Sequence, residues 1–372
     1  MKTTKRLFLL VIALMSMSTM QAQDPNFWIF LCFGQSNMAG CAPIEAQDSI
    51  IPEDFLSLSA TNGTDGRQVG KWRKALPPIC RQGTKLSPVD YFGREILEKA
   101  PEGTRVGVIS VAVEGCPITF FDKDACAEPI AKEERDWMNN ILNEYDRNPY
   151  QRLVDMARIA QREGVIKGIL LHQGETDAYN AEWQKRVYKI YKDLQEDLKL
   201  DTFSVPLLVG EVARAEYAGV CAHANPTIDD IVNHYHNVYV VSAEGCAPGD
   251  DHVHFSSEGY RQLGRNYAQV FLRRMGLDAA PRKTEVATKK IVTYVQAFSV
   301  GADINLDRMM TADANEPMEK VDIVSFSGQT IKTIDAGGAK TLLIDLKQLP
   351  RESLIFVFKS KGGDTSTIKI EY

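Results

Sequence analysis

Six histidines are all that this 372-residue chain offers as ordinary proton acceptors near neutral pH, so a search for general-base chemistry is short. His254 stands out because Asp251 precedes it by three residues in Gly249-Asp250-Asp251-His252-Val253-His254-Phe255. That separation brings a carboxylate and an imidazole together across one turn, with Phe255 to anchor the loop. A candidate nucleophile is Ser36, in Phe33-Gly34-Gln35-Ser36-Asn37-Met38-Ala39-Gly40, where an apolar run stops between small and polar residues. A serine needs a histidine to take its proton and a carboxylate to hold that histidine's tautomer and stabilise its cation. The chemistry implied is acyl transfer. Two further clusters could serve it. In Leu171-His172-Gln173-Gly174-Glu175-Thr176-Asp177 the Gln173 amide can donate to an oxyanion, and Glu175 can hydrogen-bond the catalytic histidine or its support. In Val113-Glu114-Gly115-Cys116-Pro117-Ile118 the glycine lets a backbone N–H approach a bound oxygen.

Each cluster also has a plainer reading. Ser36 serves equally as a turn or N-cap residue, the Asp-rich loop as a cap on the helix after it, and Gln173 with Glu175 as caps before Ala181. Cys116 is a rival nucleophile with no histidine beside it in sequence. A metal reading places His252 and His254 with Asp250, Asp251 and Glu175 as ligands.

Strands and helices must bring these segments together. Residues 28–33, 105–111, 166–171, 204–210 and 238–241 are short apolar runs of strand type, and 89–99, 150–163, 181–198 and 256–275 carry helical patterns between and after them. This alternation predicts an α/β fold, a three-layer α/β/α domain around a five-stranded parallel sheet. Ligand chemistry in such domains collects at the carboxyl ends of strands, and every cluster above falls at such an end. The stretch 41–85, rich in Pro, Gly and Asp, reads as rim loop.

Residues 1–22 combine a basic start (Lys2, Lys5, Arg6) with an apolar run too short to span a bilayer, the pattern of a cleaved signal peptide. The expected localisation is exported: periplasm, cell surface or secreted. The α/β domain then covers 23–276, a linker 277–290, and residues 291–372 form strand-like runs separated by Gly turns, a small C-terminal β-sandwich without a cluster of reactive side chains. A net charge of −6 with no basic cluster argues against nucleic acid and against anionic membrane surfaces as partners. Seven cysteines in an exported chain allow a few disulfides, with Cys116–Cys126 and Cys221–Cys246 as candidate pairs, and the odd count leaves at least one unpaired or intermolecular.

Together the blocks Gly34 to Met38, His172 to Asp177 and Asp251 to Phe255 resemble the SGNH hydrolase superfamily. Within it they are similar to the sialate O-acetylesterases and the acetyl xylan esterase-like carbohydrate esterase family six. The resemblance implies a flavodoxin-like fold and a serine carbohydrate O-acetylesterase that needs no cofactor and takes an acetylated oligosaccharide or polysaccharide, such as acetylated xylan or sialic acid. It implies that Ser36 attacks, that His254 is the base supported by Asp251, and that Glu175 is a second or alternative acidic partner. The oxyanion hole it implies consists of the Ser36 and Gly115 N–H groups and the Gln173 side chain. Two positions depart from the family pattern: Glu114-Gly115-Cys116 stands for a Gly-Gly-Thr/Ser turn, and Gln173 for the wider superfamily's asparagine. Gly328-Gln329, Leu349-Pro350 and Lys369-Ile370 resemble a type IX secretion sorting domain, with Arg351-Glu352 where that pattern has glycine. A binding protein that keeps the fold without turnover and a metal-dependent deacetylase are the alternatives.

Overall fold

The computed structural model describes residues 23–278, 300–304, 309–325, 329–350 and 354–370. The expected signal peptide and most of the linker lie outside these residues, as do Gly328 and Arg351-Glu352. The chain divides into two compact units, Met1–Ala279 and Ala280–Tyr372.

The first unit is built on seven strands: β1 (Asp24–Gly34), β2 (Phe55–Leu58), β3 (Trp72–Lys74), β4 (Arg105–Ala112), β5 (Gly164–His172), β6 (Leu207–Gly210) and β7 (Val238–Val241). Their order across the sheet is β3-β2-β4-β1-β5-β6-β7. All neighbours pair in parallel except β3, which runs antiparallel to β2. The five strands expected from the apolar runs form the parallel centre, in the doubly wound order with β1 between β4 and β5. The sheet is wider than expected, because β2 and β3 come from the stretch read as rim loop. Four and three residues are too short to establish an alternation; Phe55 enters the core by packing beside β4.

Why β1 lies at the centre is visible in its side chains. From Phe27 to Gly34 every residue is buried. Ile29, Leu31 and Phe33 face one layer, while Phe30 and Cys32 face the other, the period of two that a strand covered on both faces must have. Directly after β1 comes α1 (Ser36–Ala39), whose Met38 and Ala39 join the second layer, while on the first side lie α3 (Ala127–Ala131), α4 (Asp136–Glu144), α5 (Pro149–Ala160), α6 (Trp183–Asp197) and α7 (Asn225–His234). On the second are α2 (Pro88–Lys99) and α8 (Ser257–Arg274), where the Phe30 ring meets Phe92 edge-on at 4.7 Å and Phe271 at 4.9 Å. Helix α2 starts where its sequence says it should: Pro88 is the first helical residue, and Ser87 and Asp90 form a capping box.

The second unit holds two antiparallel sheets. One has the order β11-β10-β13-β14 and the other β12-β9-β8, with β8 (Val300–Ile304), β9 (Met309–Ala314), β10 (Met318–Ser325), β11 (Thr330–Asp335), β12 (Thr341–Asp345), β13 (Leu354–Ser360) and β14 (Thr365–Ile370). Met310, Val321, Ile323, Phe356 and Phe358, drawn from both sheets, share one apolar core, as sandwich packing requires. All seven cysteines are free. The suggested pairings therefore do not form: the Cys116 thiol faces the Gly34 carbonyl at 3.9 Å, and that of Cys246 the Glu244 carbonyl at 3.6 Å.

Candidate active site

Gly34 ends β1 with φ +149°, and a Cβ placed there would lie 2.0 Å from the His172 carbonyl oxygen. Only glycine lets β1 and β5 stay paired to their last residues and the chain then turn sharply. Beyond that turn Gln35 precedes the four-residue helix α1, and Ser36 is its first residue. The Ser36 N–H has no intrahelical acceptor, as for any residue in a helix's first turn.

Ser36 Oγ lies 2.8 Å from His254 Nε2, and His254 Nδ1 lies 2.6 Å from Asp251 Oδ2. The other Asp251 oxygen accepts the Val253 and His254 N–H groups, each at 2.9 Å, which fixes the carboxylate against its own loop. Burial works against the Asp251 charge, yet the hydrogen bonds from His254 and the two amides overcome it and hold this carboxyl at about 2. His254 is raised to about 9, first by its hydrogen bonding to the Cys41 sulfur and then, against partial burial, by Asp251. The Cys41 sulfur also sits 3.4 Å from the Ser36 carbonyl oxygen. An unperturbed value near 6.5, which sequence alone suggests, is thus displaced upward by two neighbours, one of them 213 positions away in the chain.

The loop carrying His254 is held from below. Phe255 is 1% exposed and its ring packs edge-on against His172 and Tyr260, each at 5.7 Å. Asn37, fully buried, uses its whole amide on that loop and its surroundings: Nδ2 donates to the Val253 carbonyl at 3.0 Å and to Glu175 Oε1 at 2.5 Å, while Oδ1 accepts from Phe255 N–H at 3.3 Å and from the Tyr260 hydroxyl at 2.7 Å. Asn37 therefore ties the residue after the serine to both residues flanking the histidine. Sequence reasoning missed it. The only signal was a polar residue beside Ser36 in an otherwise buried turn.

Glu175 does not meet His254. It binds Asn37 and lies 3.6 Å from His172 Nε2. Burial alone would raise its carboxyl, but His172 and then Asn37 hold it below the ordinary range. Its place is behind the serine rather than behind the histidine, because β5 runs beside β1 and delivers residue 175 under α1. Gln173 is likewise corrected. Its amide nitrogen donates to Asp177 at 2.5 Å and to the Cys116 carbonyl at 3.4 Å, and its oxygen accepts from the Trp183 indole at 2.5 Å. Fully buried and with both amide protons engaged, it knits the β4 and β5 loops together instead of facing an oxyanion. Gly115 fares differently: it has φ +64°, its N–H has no acceptor among the described residues, and a Cβ there would lie 3.2 Å from the Trp137 ring.

The metal grouping suggested by sequence does not converge. His252 turns its ring to the Tyr217 carbonyl at 3.3 Å, and Glu175 is taken up as described. Among the described residues, Asp122, Asp124 and Asp193 come close enough together to share an ion, and the Lys189 ammonium already bonds all three. Cys116 is fully buried and its thiol is pushed well up by that burial, which leaves it a poor nucleophile. Of the aromatic residues Trp72, Tyr91, Phe120, Phe121, Trp137 and Tyr179, which a sugar-binding rim could draw on, Trp137 (49% exposed) and Tyr179 (89% exposed) are open to solvent, the latter stacked on His223 at 4.3 Å. Phe120 and Phe121 are core residues, Tyr91 bonds Asp48, and Trp72 bonds Glu163 and packs on Phe27 near the opposite end of β1.

Residues 26–273 match the family described as carbohydrate esterase, sialic acid-specific acetylesterase. Among solved structures, a protein from Arabidopsis thaliana superposes with a TM-score of 0.51 at 22% identity, over 67% of this chain and 99% of its own. NanS gives 0.49 at 16% identity, over 68% and 99%. A carbohydrate acetylesterase from Xanthomonas citri gives 0.45 at 13% identity, over 92% and 77%. The Arabidopsis likeness is one of fold.

Proposed function

The chain belongs to the sialic acid-specific acetylesterase family of carbohydrate esterases and is a carboxylic ester hydrolase, and on that premise we propose that it removes acetyl groups from glycans through an acetyl-serine intermediate on Ser36. Ser36 Oγ attacks the acetyl carbonyl carbon while its proton passes to His254 Nε2. The resulting imidazolium is stabilised by Asp251, and the oxyanion accepts from the Ser36 and Gly115 N–H groups. When the tetrahedral species collapses, His254 returns the proton to the departing sugar oxygen. A water molecule, deprotonated by His254, then attacks the acetyl-serine, and acetate leaves as Ser36 recovers its proton. The observation that carries this reading is the continuous 2.8 Å and 2.6 Å contact from serine to histidine to carboxylate.

The substrate is a glycan acetyl ester, with acetylated xylan and acetylated sialic acid as the leading classes and Trp137 and Tyr179 as the platforms on which its rings stack. Acetate release is to be measured on acetylated xylan, acetylated sialosides and acetylated pectin, with a parallel search for an acetyl adduct on the Ser36 peptide by mass spectrometry. Release from at least one of these, with the adduct on Ser36, is expected. Sugar binding without acetate would favour the non-catalytic binding protein, and activity lost in chelator but kept after a serine-directed reagent would favour the metal-dependent deacetylase. Export through the segment 1–22, with the C-terminal unit as sorting module, belongs to the same reading. Fractionating the producing cells and sequencing the N-terminus of the mature protein tests it.

A further inference from the structure

At the amino-terminal ends of β6 and β7, opposite to the strand ends that carry Ser36 and His254, lies a pocket of about 480 Å³, a volume suited to a small ligand. Tyr188, Lys192 and Gln195 of α6 form one wall; His236 and Tyr239, at the start of β7, and Arg274, the last residue of α8, form the other. Its polar lining is incomplete as it stands. Gln195 is 3% exposed, and its Oε1 accepts no hydrogen bond from any described residue while its amide donates to the Thr202 carbonyl at 3.5 Å. Arg274 Nε is also buried without an acceptor among the described residues, although another nitrogen of the same guanidinium bonds the Phe203 carbonyl. A buried acceptor and a buried donor left unpaired each cost free energy that a ligand bearing hydroxyl and carboxylate groups would recover.

The charge of the lining has one sign. Lys192 forms no ion pair with any described residue, Arg274 adds a second cation, and the lining of the pocket contains no aspartate or glutamate. Aromatic surface lies beside these cations: Tyr188 is stacked on Tyr235 at 4.3 Å, and the Arg274 guanidinium lies 5.9 Å from the Tyr239 ring centre. Ring faces suit the C–H faces of a pyranose, and cations suit an acid group on it.

We propose that this pocket is a second saccharide site, separate from the catalytic end of the sheet, that takes a sugar residue carrying a carboxylate. The choice of a saccharide rests on the chain's place among carbohydrate esterases; the carboxylate rests on the lining alone. Such a site would hold one part of an acidic glycan while another part reaches Ser36.

Titration calorimetry on the full-length protein and on Lys192→Glu, with D-glucuronic acid and D-glucose as probes, tests it, since these sugars differ at one carbon. Glucuronate is expected to bind the native protein at least roughly tenfold more tightly than glucose, and Lys192→Glu to weaken glucuronate by about tenfold, the effect of losing one charge-assisted contact. Hydrolysis of 4-nitrophenyl acetate should be the same in both proteins, so failure of the esterase reading and failure of the second site give different results. No saturable glucuronate binding, equal binding of glucose, or unchanged glucuronate affinity in Lys192→Glu would each overturn the proposal.

Discussion

At the residue scale, the site turns on how three side chains share one proton. Replacing Ser36 by Ala or His254 by Ala is expected to lower kcat by several orders of magnitude, on the order of 10⁴ to 10⁶ as for other triads, in an assay of acetate release with purified, folded protein. Near-native turnover in Ser36→Ala would end the serine mechanism. The pH dependence has a definite sign. His254 must be neutral to accept the serine proton, and its conjugate acid is held to about 9, so kcat/KM should climb through neutral pH and level only above about 9. Because the Cys41 side chain is the largest cause of that rise, Cys41→Ala should move the inflection toward lower pH. A profile already flat from about pH 7 would contradict this. The same groups bear on stability. A carboxyl lowered to about 2 in Asp251 stabilises the fold above its unfolded value of about 3.9, an effect lost as pH falls toward 2. A histidine raised to about 9 stabilises the fold below about 6.5, and that contribution fades as pH rises through 9.

At the element scale, the catalytic geometry depends on strand ends and on what fastens the histidine loop to them. Gly34→Ala would put a methyl group onto the His172 carbonyl and force β1 from β5, so a lower Tm in a thermal melt and loss of esterase activity are expected together. Glu175 acts at this scale as a positioning residue. It holds Asn37, and Asn37 holds the backbone on either side of His254. Glu175→Gln keeps an oxygen for Asn37 but removes the charge that faces His172. Steady-state kinetics should show kcat falling, toward roughly 100-fold for a displacement near 1 Å, with KM little changed. An unchanged kcat would show that the loop needs no such support. The Asp-x-x-His turn was legible in sequence because its two members are neighbours. The Asn37 clamp was not, since it joins residues 37, 175 and 253 through space and no local spacing records such contacts.

At the scale of the whole molecule, the reactive groups all lie in the first unit, while the C-terminal unit is a sandwich whose buried residues are apolar with a few serines. Residues 23–278 produced alone should therefore hydrolyse a soluble acetyl ester as fast per mole as the full chain, measured by acetate release; a large loss would assign the second unit a part in catalysis. No helix among the described residues is long and apolar enough to cross a membrane. By itself the sequence determined the alternation of strand and helix, the centre of the parallel sheet, and the strand-end segments that hold Ser36, Asp251 and His254, because apolar periodicity and a three-residue turn are local properties of a chain. Tertiary structure decided the two strands added on one side of the sheet, the withdrawal of Gln173 and Glu175 from the roles expected for them, and the raised His254. Those outcomes depend on which strand ends lie side by side: β1 between β4 and β5 places His172, Glu175 and Cys116 beneath the serine turn, and burial there commits each polar group to whichever partner is within reach.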